Sequence, residues 1–339
     1  MTHRIRAAKS SDLGALYDLA KLTGGGFTNL PADYATLEKK MATSAAGFAR
    51  EGDHQVGDLY VFVLEEVATG KIRGTCQVFG EVGTEQPFYS YRISTLTQRS
   101  KELNRTFHNK LLTLVTDLEG CSEVGGLFLH PGERAGGLGM LLARSRYLFI
   151  KQHRPRFGNR VLAELRGVMD SAGHSPFWDA LAGRFFGMTF PEADDFNAMH
   201  GTQFIADLMP KTPIYIAMLP DNAKAVIGQP HPTGRAALKM LEREGFVWDN
   251  YVDIFDGGPT VIAPTDNIAT IANSGEYEVI GTHGGDGGEK LMVASGSLEK
   301  FACCYAMGSI DEGGIMIDAE AMDKLGVGKG DKILGIGRR

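Results

Sequence analysis

Two periods of apolar residues alternate along the chain, and the switches between them mark where helices give way to strands. Leu13, Leu16, Tyr17 and Ala20 share one face at helical spacing, with Ser10 or Ser11 placed to cap that helix and Ile5 in a short strand before it. Tyr34, Leu37, Met41, Ala45 and Phe48 repeat the pattern in a second helix. Residues 59–66 and 72–82 are apolar and β-branched, and the intervening Ala68-Thr69-Gly70-Lys71 predicts a hairpin, hence an antiparallel start to a sheet. Strands are also predicted at 87–92, 111–115 and 161–168, with 99–109 as a polar stretch between the first two. Pro176 opens a helix through Phe186, and helical patterning returns at 196–209 and 235–244, where Gly245 stands as a C-cap. A strand at 246–255 stops at Asp256-Gly257-Gly258-Pro259. Beyond Pro264 the texture changes to short strands near 277–281, 290–294, 301–308 and 314–317, one brief helix at 319–325 and a last strand at 332–336. These elements predict an α/β (α+β) fold: a mixed central sheet flanked by helices over residues 1–260, then a small β-rich domain over 261–339.

The densest pattern runs through 123–154. The apolar run Leu127, Phe128, Leu129 breaks at Pro131, passes a loop holding Arg134, Gly136, Gly137 and Gly139, and continues as a helix with Leu138, Leu141, Leu142 and Phe149 on one face. Arg144, Arg146, Lys151 and Arg154 place charge mostly away from that face. A helix N-terminus offers unpaired N–H groups and partial positive charge, and glycines let an anion approach the backbone. A Walker loop would need Gly-Lys-Ser/Thr here, and a dinucleotide fingerprint would need G-x-G-x-x-G; both are missing. The spacing Arg134-x-x-Gly137-x-Gly139 resembles instead the R-x-x-G-x-G/A element with which GNAT acyltransferases hold the pyrophosphate of an acyl-coenzyme A. That resemblance implies a GNAT-like fold, with Arg134, Gly137 and Gly139 on pyrophosphate and the backbone of Leu127 and Leu129 offered to the pantetheine arm.

Composition narrows the partners. Lys and Arg number 35 against 41 Asp and Glu, a net charge of −6, and the cations are scattered, so no nucleic-acid surface is predicted. No apolar run approaches the ~18 residues of a membrane span, and Met1-Thr2-His3-Arg4-Ile5-Arg6 lacks an apolar signal region, so a cytoplasmic protein without a membrane partner is expected. Cys76, Cys121 and the adjacent Cys303 and Cys304 show no C-x-x-C spacing, which predicts reduced, packed thiols and no metal site.

The strings TGGGFTNLP at 23–31, YVFVLEE at 60–66, SKELN at 100–104, RGVMD at 166–170, SPFW at 175–178, LMPK at 208–211, VIGQ at 226–229 with His231-Pro232, and NYVDIFDGGPT at 250–260 together resemble the arginine N-succinyltransferase family. The likeness spans nearly the whole chain. Pro230 stands where relatives more often carry an aliphatic residue, and the tail after 262 matches loosely. The resemblance implies transfer of succinyl from succinyl-coenzyme A, as co-substrate, to the α-amino group of L-arginine, and in some relatives of ornithine. It implies no metal, no tightly held cofactor, and a homo-oligomer or a pairing with a related chain.

Direct attack by an amine on a thioester needs a proton taken from nitrogen and a proton given to the departing thiolate. Histidine suits both steps because its pKa lies near ~6.5. The family's catalytic histidine maps onto His231, between Pro230 and Pro232 in a rigid loop, and the role expected of it is proton donor to coenzyme A; His130, bordering the glycine loop, is second. A guanidinium calls for a carboxylate, for which Glu164, Asp170, Asp253 and Asp256 compete. The succinyl carboxylate calls for a cation, for which Arg92, Lys101, Arg105 and Arg166 compete. Two other readings stay open: an amine N-acetyltransferase using acetyl-coenzyme A, and a regulatory module that binds acyl-coenzyme A without turnover.

Overall fold

The computed structural model describes residues 2–23, 29–134, 136–170, 172–284 and 287–337. Its strands are β1 His3–Ala7, β2 Leu59–Glu66, β3 Lys71–Phe79, β4 Ser90–Ser100, β5 Arg105–Val115, β6 Ser122–Leu129, β7 Arg160–Glu164, β8 Ile214–Tyr215, β9 Val247–Val252, β10 Pro259–Pro264, β11 Gly275–Thr282, β12 Glu289–Ser295, β13 Ala302–Asp311, β14 Gly314–Ile317 and β15 Lys332–Gly337. Its helices are α1 Leu13–Lys21, α2 Tyr34–Ala49, α3 Leu138–Gln152, α4 Pro176–Ala180, α5 Gly183–Phe186, α6 Phe190–His200, α7 Gln203–Leu208, α8 Asp221–Val226, α9 Arg235–Arg243, α10 Ala269–Asn273 and α11 Ala319–Leu325. The chain divides into two compact units, one of residues 1–80, 124–159 and 264–339, the other of 81–123 and 160–263. None of the helices is long and apolar enough to cross a membrane.

In the first unit β1, β2 and β3 form an antiparallel run, with Ile5 opposite Leu64 and Phe62 opposite Cys76, and the end of β6 lies beside β3. The C-terminal strands fall near the ranges expected of them. They close on themselves in the order β12-β15-β11-β14-β13, because β12 pairs with β13 as well as with β15. Closure leaves none of the five with a bare edge. It also encloses Val279, Leu291, Val293, Cys304, Ile315, Ile317 and Ile333, over which α11 packs Ala321 and Leu325. β13 continues into the rest of the unit by pairing with β1, Ile5 opposite Cys303.

Three expectations for this unit are corrected. The first helix is capped not by Ser10 or Ser11 but by a short 3-10 turn ending at buried Asp12, whose carboxylate accepts the Lys9 N–H at 2.8 Å and pairs with Arg6 at 2.7 Å. In α2 Tyr34 and Ala45 face solvent, and Ser44 and Gly47 face the core in their place. The Ser44 hydroxyl accepts the Val61 N–H at 2.9 Å, so a polar residue there completes a strand end. Arg144 and Arg146 of α3 are buried, since the helix is enclosed from Leu141 to Ile150. Arg144 donates to Thr270 at 2.7 Å and Arg146 to the Gly125 carbonyl at 3.3 Å.

The second unit orders its strands β7-β10-β9-β4-β5-β8, with Ser122 and Glu123 of β6 parallel to Val161 and Leu162 of β7. Its core centres on Trp178, stacked between Phe186 and Phe255 with its indole N–H on the Met188 carbonyl at 2.8 Å. Ser175 caps α4 as the Ser-Pro sequence suggests, but the helix predicted through Phe186 breaks at Leu181 into α4 and α5. Helical 196–209 is likewise split at Gly201, where φ is 76°. Residues 99–109 are not a polar connection: β4 and β5 form one long hairpin, Ser90 opposite Val115 through Ser100 opposite Arg105. Both faces of its outer half meet water, which erases the alternation that marks a half-buried strand.

Two helical glycines should respond oppositely to alanine. A Cβ at Gly14 of α1 meets nothing within 4 Å, so Gly14→Ala should stabilise by roughly 0.5 kcal/mol through lower backbone entropy in the unfolded chain. A Cβ at Gly47 of α2 would stand 2.7 Å from the Leu59 carbonyl, so Gly47→Ala should destabilise by about 1–3 kcal/mol although alanine is the better helix former. Urea unfolding of both variants checks the pair; a stabilised Gly47→Ala would contradict the packing.

Candidate functional site

In the second unit, the backbone continues past β7 far enough for Gly167 to bridge Pro230 in antiparallel fashion, and the His231 N–H donates to the Arg166 carbonyl at 2.7 Å. Pro232 starts a 3-10 turn through Gly234 that leads into α9. Within that turn the His231 Nδ1 lies 2.8 Å from the Thr233 hydroxyl and 3.3 Å from the Thr233 N–H. Nδ1 is thereby engaged locally, and Nε2 takes no part in that contact. Desolvation and then the Arg166 charge lower the pKa of His231, so the free imidazole is neutral at pH 7.

Beside it the structure gathers carboxyl groups. Glu164 at the end of β7 is raised well above the ordinary range by burial and then by its neighbours Asp253, Glu123 and Asp256. Asp256 is pushed up to about 8 by burial and by Asp253, against the pull of two backbone donors, and burial raises Asp253 too. The three differ in what their oxygens do. Asp253 caps its own turn, accepting the Phe255 and Asp256 N–H groups at 2.7 and 2.9 Å. Asp256 accepts the Gly258 N–H at 2.8 Å and the Gly167 N–H at 2.7 Å. Glu164 receives, among the described residues, only the Thr260 hydroxyl at 3.5 Å. Asp253 and Asp256 are therefore spent on the loop, and Glu164 is the carboxyl with acceptor capacity to offer.

The other sequence candidates separate in the same way. Asp170 is exposed and tied to His174 at 3.0 Å and to the Ala172 N–H at 2.8 Å. Arg92 pairs with Asp117 at 3.3 Å and lies over the Tyr251 ring, while Lys101 and Arg105 stand at the tip of the β4–β5 hairpin. Arg166 alone of the four cations adjoins His231. Its Nε is buried without a hydrogen-bond partner among the described residues, and burial lowers its pKa. Glu123, Thr260 and Thr233 were not singled out from sequence. Thr260 sits inside the NYVDIFDGGPT string, but its contact with Glu164 is across 96 residues and invisible to local spacing. Among the described residues no cluster of His, Cys, Asp and Glu could hold a metal.

In the first unit, β6 leads through His130 and a 3-10 turn at Pro131–Glu133 to Arg134. Gly136 and Gly137 have φ of 72° and 83°, and Gly137 is the N-cap of α3, so the chain enters the helix through two positions that favour glycine. A Cβ at Gly136 would meet nothing within 4 Å and one at Gly139 only Leu129 at 3.9 Å, so both face open space. Arg134 is exposed and, among the described residues, has no side-chain hydrogen bond or ion pair. The turn is braced by Glu133, which lies 3.5 Å from Arg73 and 3.8 Å from His3, and the Tyr305 hydroxyl donates to the Gly137 carbonyl at 3.0 Å. The pairing of β6 with β7 comprises Ser122 and Glu123, so it ends before the half-buried Leu127 and Leu129.

Comparison with known proteins agrees with these features. The family described as arginine N-succinyltransferase beta subunit matches residues 3–270, and its C-terminal domain matches residues 277–336. The chain is 39% identical to the arginine N-succinyltransferase subunit beta of Pseudomonas aeruginosa, over 97% of this chain and 96% of that protein. It is 41% identical to an Escherichia coli arginine N-succinyltransferase over the same shares. The solved arginine/ornithine succinyltransferase subunit AI of Pseudomonas aeruginosa superposes with a TM-score of 0.90 at 33% identity, covering 99% of this chain and 98% of that one. With its mixed α/β fold, its glycine-opened helix and matches over nearly its whole length, the chain belongs to the arginine N-succinyltransferase family of acyltransferases.

Proposed function

We propose that this chain transfers succinyl from succinyl-coenzyme A to the α-amino group of L-arginine, giving N2-succinylarginine and coenzyme A. The observation that carries the reading is the grouping of Glu164, Arg166 and His231 in one unit of a chain from this family. The glycine loop, with Arg134, Gly137 and Gly139, is assigned the donor's pyrophosphate, and the Leu127 and Leu129 backbone its pantetheine arm. Glu164 is assigned the cationic end of the acceptor and Arg166 a substrate carboxylate. Asp253 and Asp256 shape the turn that holds them.

The protons follow from the state of His231. Nitrogen attacks the thioester carbonyl, the C–N bond forms, and neutral His231 takes the proton released from nitrogen. As the C–S bond breaks, the imidazolium returns that proton to sulfur. The expected role of proton donor to coenzyme A is then the second half of a relay, because a histidine held neutral must first accept.

A thiol-release assay crossing succinyl- and acetyl-coenzyme A with a panel of amino acids tests the reading as a whole. Release from succinyl-coenzyme A with arginine supports it. Release from acetyl-coenzyme A alone favours an acetyltransferase, and no release with any pair favours a binding module.

Four variants test the assignments. His231→Ala should lower turnover by ~10²–10⁴ with coenzyme A affinity near wild type. The acid limb of kcat/KM should lie below ~6.5 in the wild type and move up in Arg166→Met, since removing a neighbouring cation favours the imidazolium; an unmoved limb would detach His231 from the chemistry. Gly139→Val should raise KM for the acyl donor with the fold intact, read by calorimetric titration of coenzyme A, and unchanged affinity would return the loop to a mere connection. Glu164→Gln should raise KM for arginine roughly tenfold or more while sparing the donor. Because Glu164 is raised, an arriving cation should expel its proton at pH 7. Titrations of arginine in buffers of different ionisation enthalpy should show proton release that the Gln variant loses, and equal release in both would remove Glu164 from the site.

A further inference from the structure

We propose that a cavity in the first unit, beside Gly126 of β6, receives the acyl end of the donor, with Lys40 and the Gln77 amide holding the free carboxylate of a succinyl group. This rests on the reaction proposed above and adds to it the residues that tell a dicarboxylic acyl group from a plain one.

The cavity lies among α1, α2, β2, β3 and β6. Leu16, Leu30, Leu37, Met41 and Val61 give it an apolar wall, to which Asn29, Lys40, Thr75 and Gln77 add polar groups. Among the described residues that line it, Lys40 carries the one charge. Thr75 is committed to the sheet, its hydroxyl donating to the Phe62 carbonyl at 2.9 Å. The other three are linked. The Gln77 amide donates to the Asn29 side-chain carbonyl at 2.6 Å, and the Lys40 ammonium donates to the Asn29 main-chain carbonyl. Cation and amide therefore converge on one residue. An ammonium carries three N–H groups and a primary amide two, so each can meet an anion while keeping its bond to Asn29.

Position ties this cavity to the donor. A pantetheine arm that leaves the glycine loop along Leu129 and Leu127 next reaches Gly126, roughly 10 Å down the strand from Leu129. Gly126 has a φ of 58° within β6, and a Cβ there would stand 2.9 Å from the Gln77 Cγ and Cδ. Glycine inside a strand marks a close approach. Here it lets the Gln77 side chain lie against the strand where the thioester would end.

The combination of wall and cation suits one class of acyl group. Succinyl has two methylenes between its thioester carbonyl and its free carboxylate; the apolar wall takes the methylenes, and the cation with the amide takes the carboxylate. A neutral acyl chain of the same length would press a methyl group against an ammonium. The room is small, of the order of a water-sized group, so it admits the end of a short chain and excludes an amino acid. Arg166 is then left for the α-carboxylate of the acceptor.

Butyryl-coenzyme A is the control, since it keeps the length of succinyl and replaces the carboxylate with methyl. Calorimetric titration of the purified chain with both donors reads the preference without turnover. The wild type should bind succinyl-coenzyme A ~10–100-fold more tightly. Lys40→Met should bring that ratio near unity with butyryl-coenzyme A affinity close to wild type, and Lys40→Arg should retain most of it. Equal wild-type affinity for the two donors, or a ratio that Lys40→Met leaves unchanged, would overturn the assignment. So would a proportionate loss of both donors, the result of a Lys40 that merely holds the Asn29 loop. If Lys40→Met does not fold, Gln77→Glu decides: it should weaken succinyl-coenzyme A and spare butyryl-coenzyme A, and an unchanged ratio overturns the assignment. Thiol release with arginine is measured alongside. A preference lost in Lys40→Met without any arginine turnover in the wild type would uphold the cavity and overturn the proposed reaction, whereas turnover with a preference unmoved by the substitution would do the reverse.

Discussion

The region proposed to receive the acceptor depends on one buried carboxyl group and the glycines around it. Asp256 takes the N–H groups of Gly167 and Gly258 on its two oxygens, which ties the backbone that follows β7 to the turn that follows β9. The approach is too close for side chains: a Cβ at Gly258 would stand 2.0 Å from the Leu165 carbonyl, and one at Gly167 2.4 Å from the Asp256 carbonyl. Gly257, at φ 68°, packs on the Phe177 ring. Everything assigned to the acceptor hangs from this junction. Glu164 and Arg166 lie on the segment it fixes, and the Arg166 carbonyl in turn holds the His231 N–H.

The protein uses one local device twice. His130-Pro131 and His231-Pro232 each place histidine in an extended conformation with φ of −49°, ahead of a 3-10 turn that proline begins, and in each the Nδ1 accepts the N–H two residues on. Each histidine also donates its own N–H to a carbonyl of a neighbouring segment, Arg73 for His130 and Arg166 for His231. The device aims Nε2 and fixes Nδ1 as the locally satisfied atom. What separates the two is company: His231 has Arg166 and the carboxyl group of Glu164 in its own unit, whereas His130 borders Glu133, already clamped by Arg73 and His3.

Legibility of the fold tracked how far each element obeys a local rule. The strands past 275 fall near their expected ranges because each holds a short apolar run bounded by turn residues, and α3 starts where the glycines announce it. The arginines of α3 were misread because helical spacing sorts charge from apolar residues only on a helix with a solvent face, and this one has almost none. The hairpin was half missed for the opposite reason, having solvent on both faces. Among the candidate site residues, Glu164 and Arg166 stand out as charges in an otherwise apolar run, whereas His231 stands out through the family resemblance. Asp253 and Asp256 were also visible, but their roles lay in backbone donors supplied by Phe255, Gly258 and Gly167, which side-chain chemistry does not announce.

A cluster of buried carboxyl groups is costly unless protons or cations neutralise it. Asp256 offsets part of that cost through two backbone donors, and Asp253 through two more, so the acceptor capacity of each is taken up by its own loop. Glu164 has, among the described residues, a single long hydroxyl contact, and burial together with its carboxyl neighbours favours its protonated form. In the proposed reading a guanidinium that replaces this proton would bring two parallel N–H groups to the Glu164 carboxylate, whereas an ammonium would bring a point charge on a shorter stem. On that reading charge alone would admit either cation, and discrimination between arginine and a shorter diamino acid would come from reach and fork geometry rather than from electrostatics.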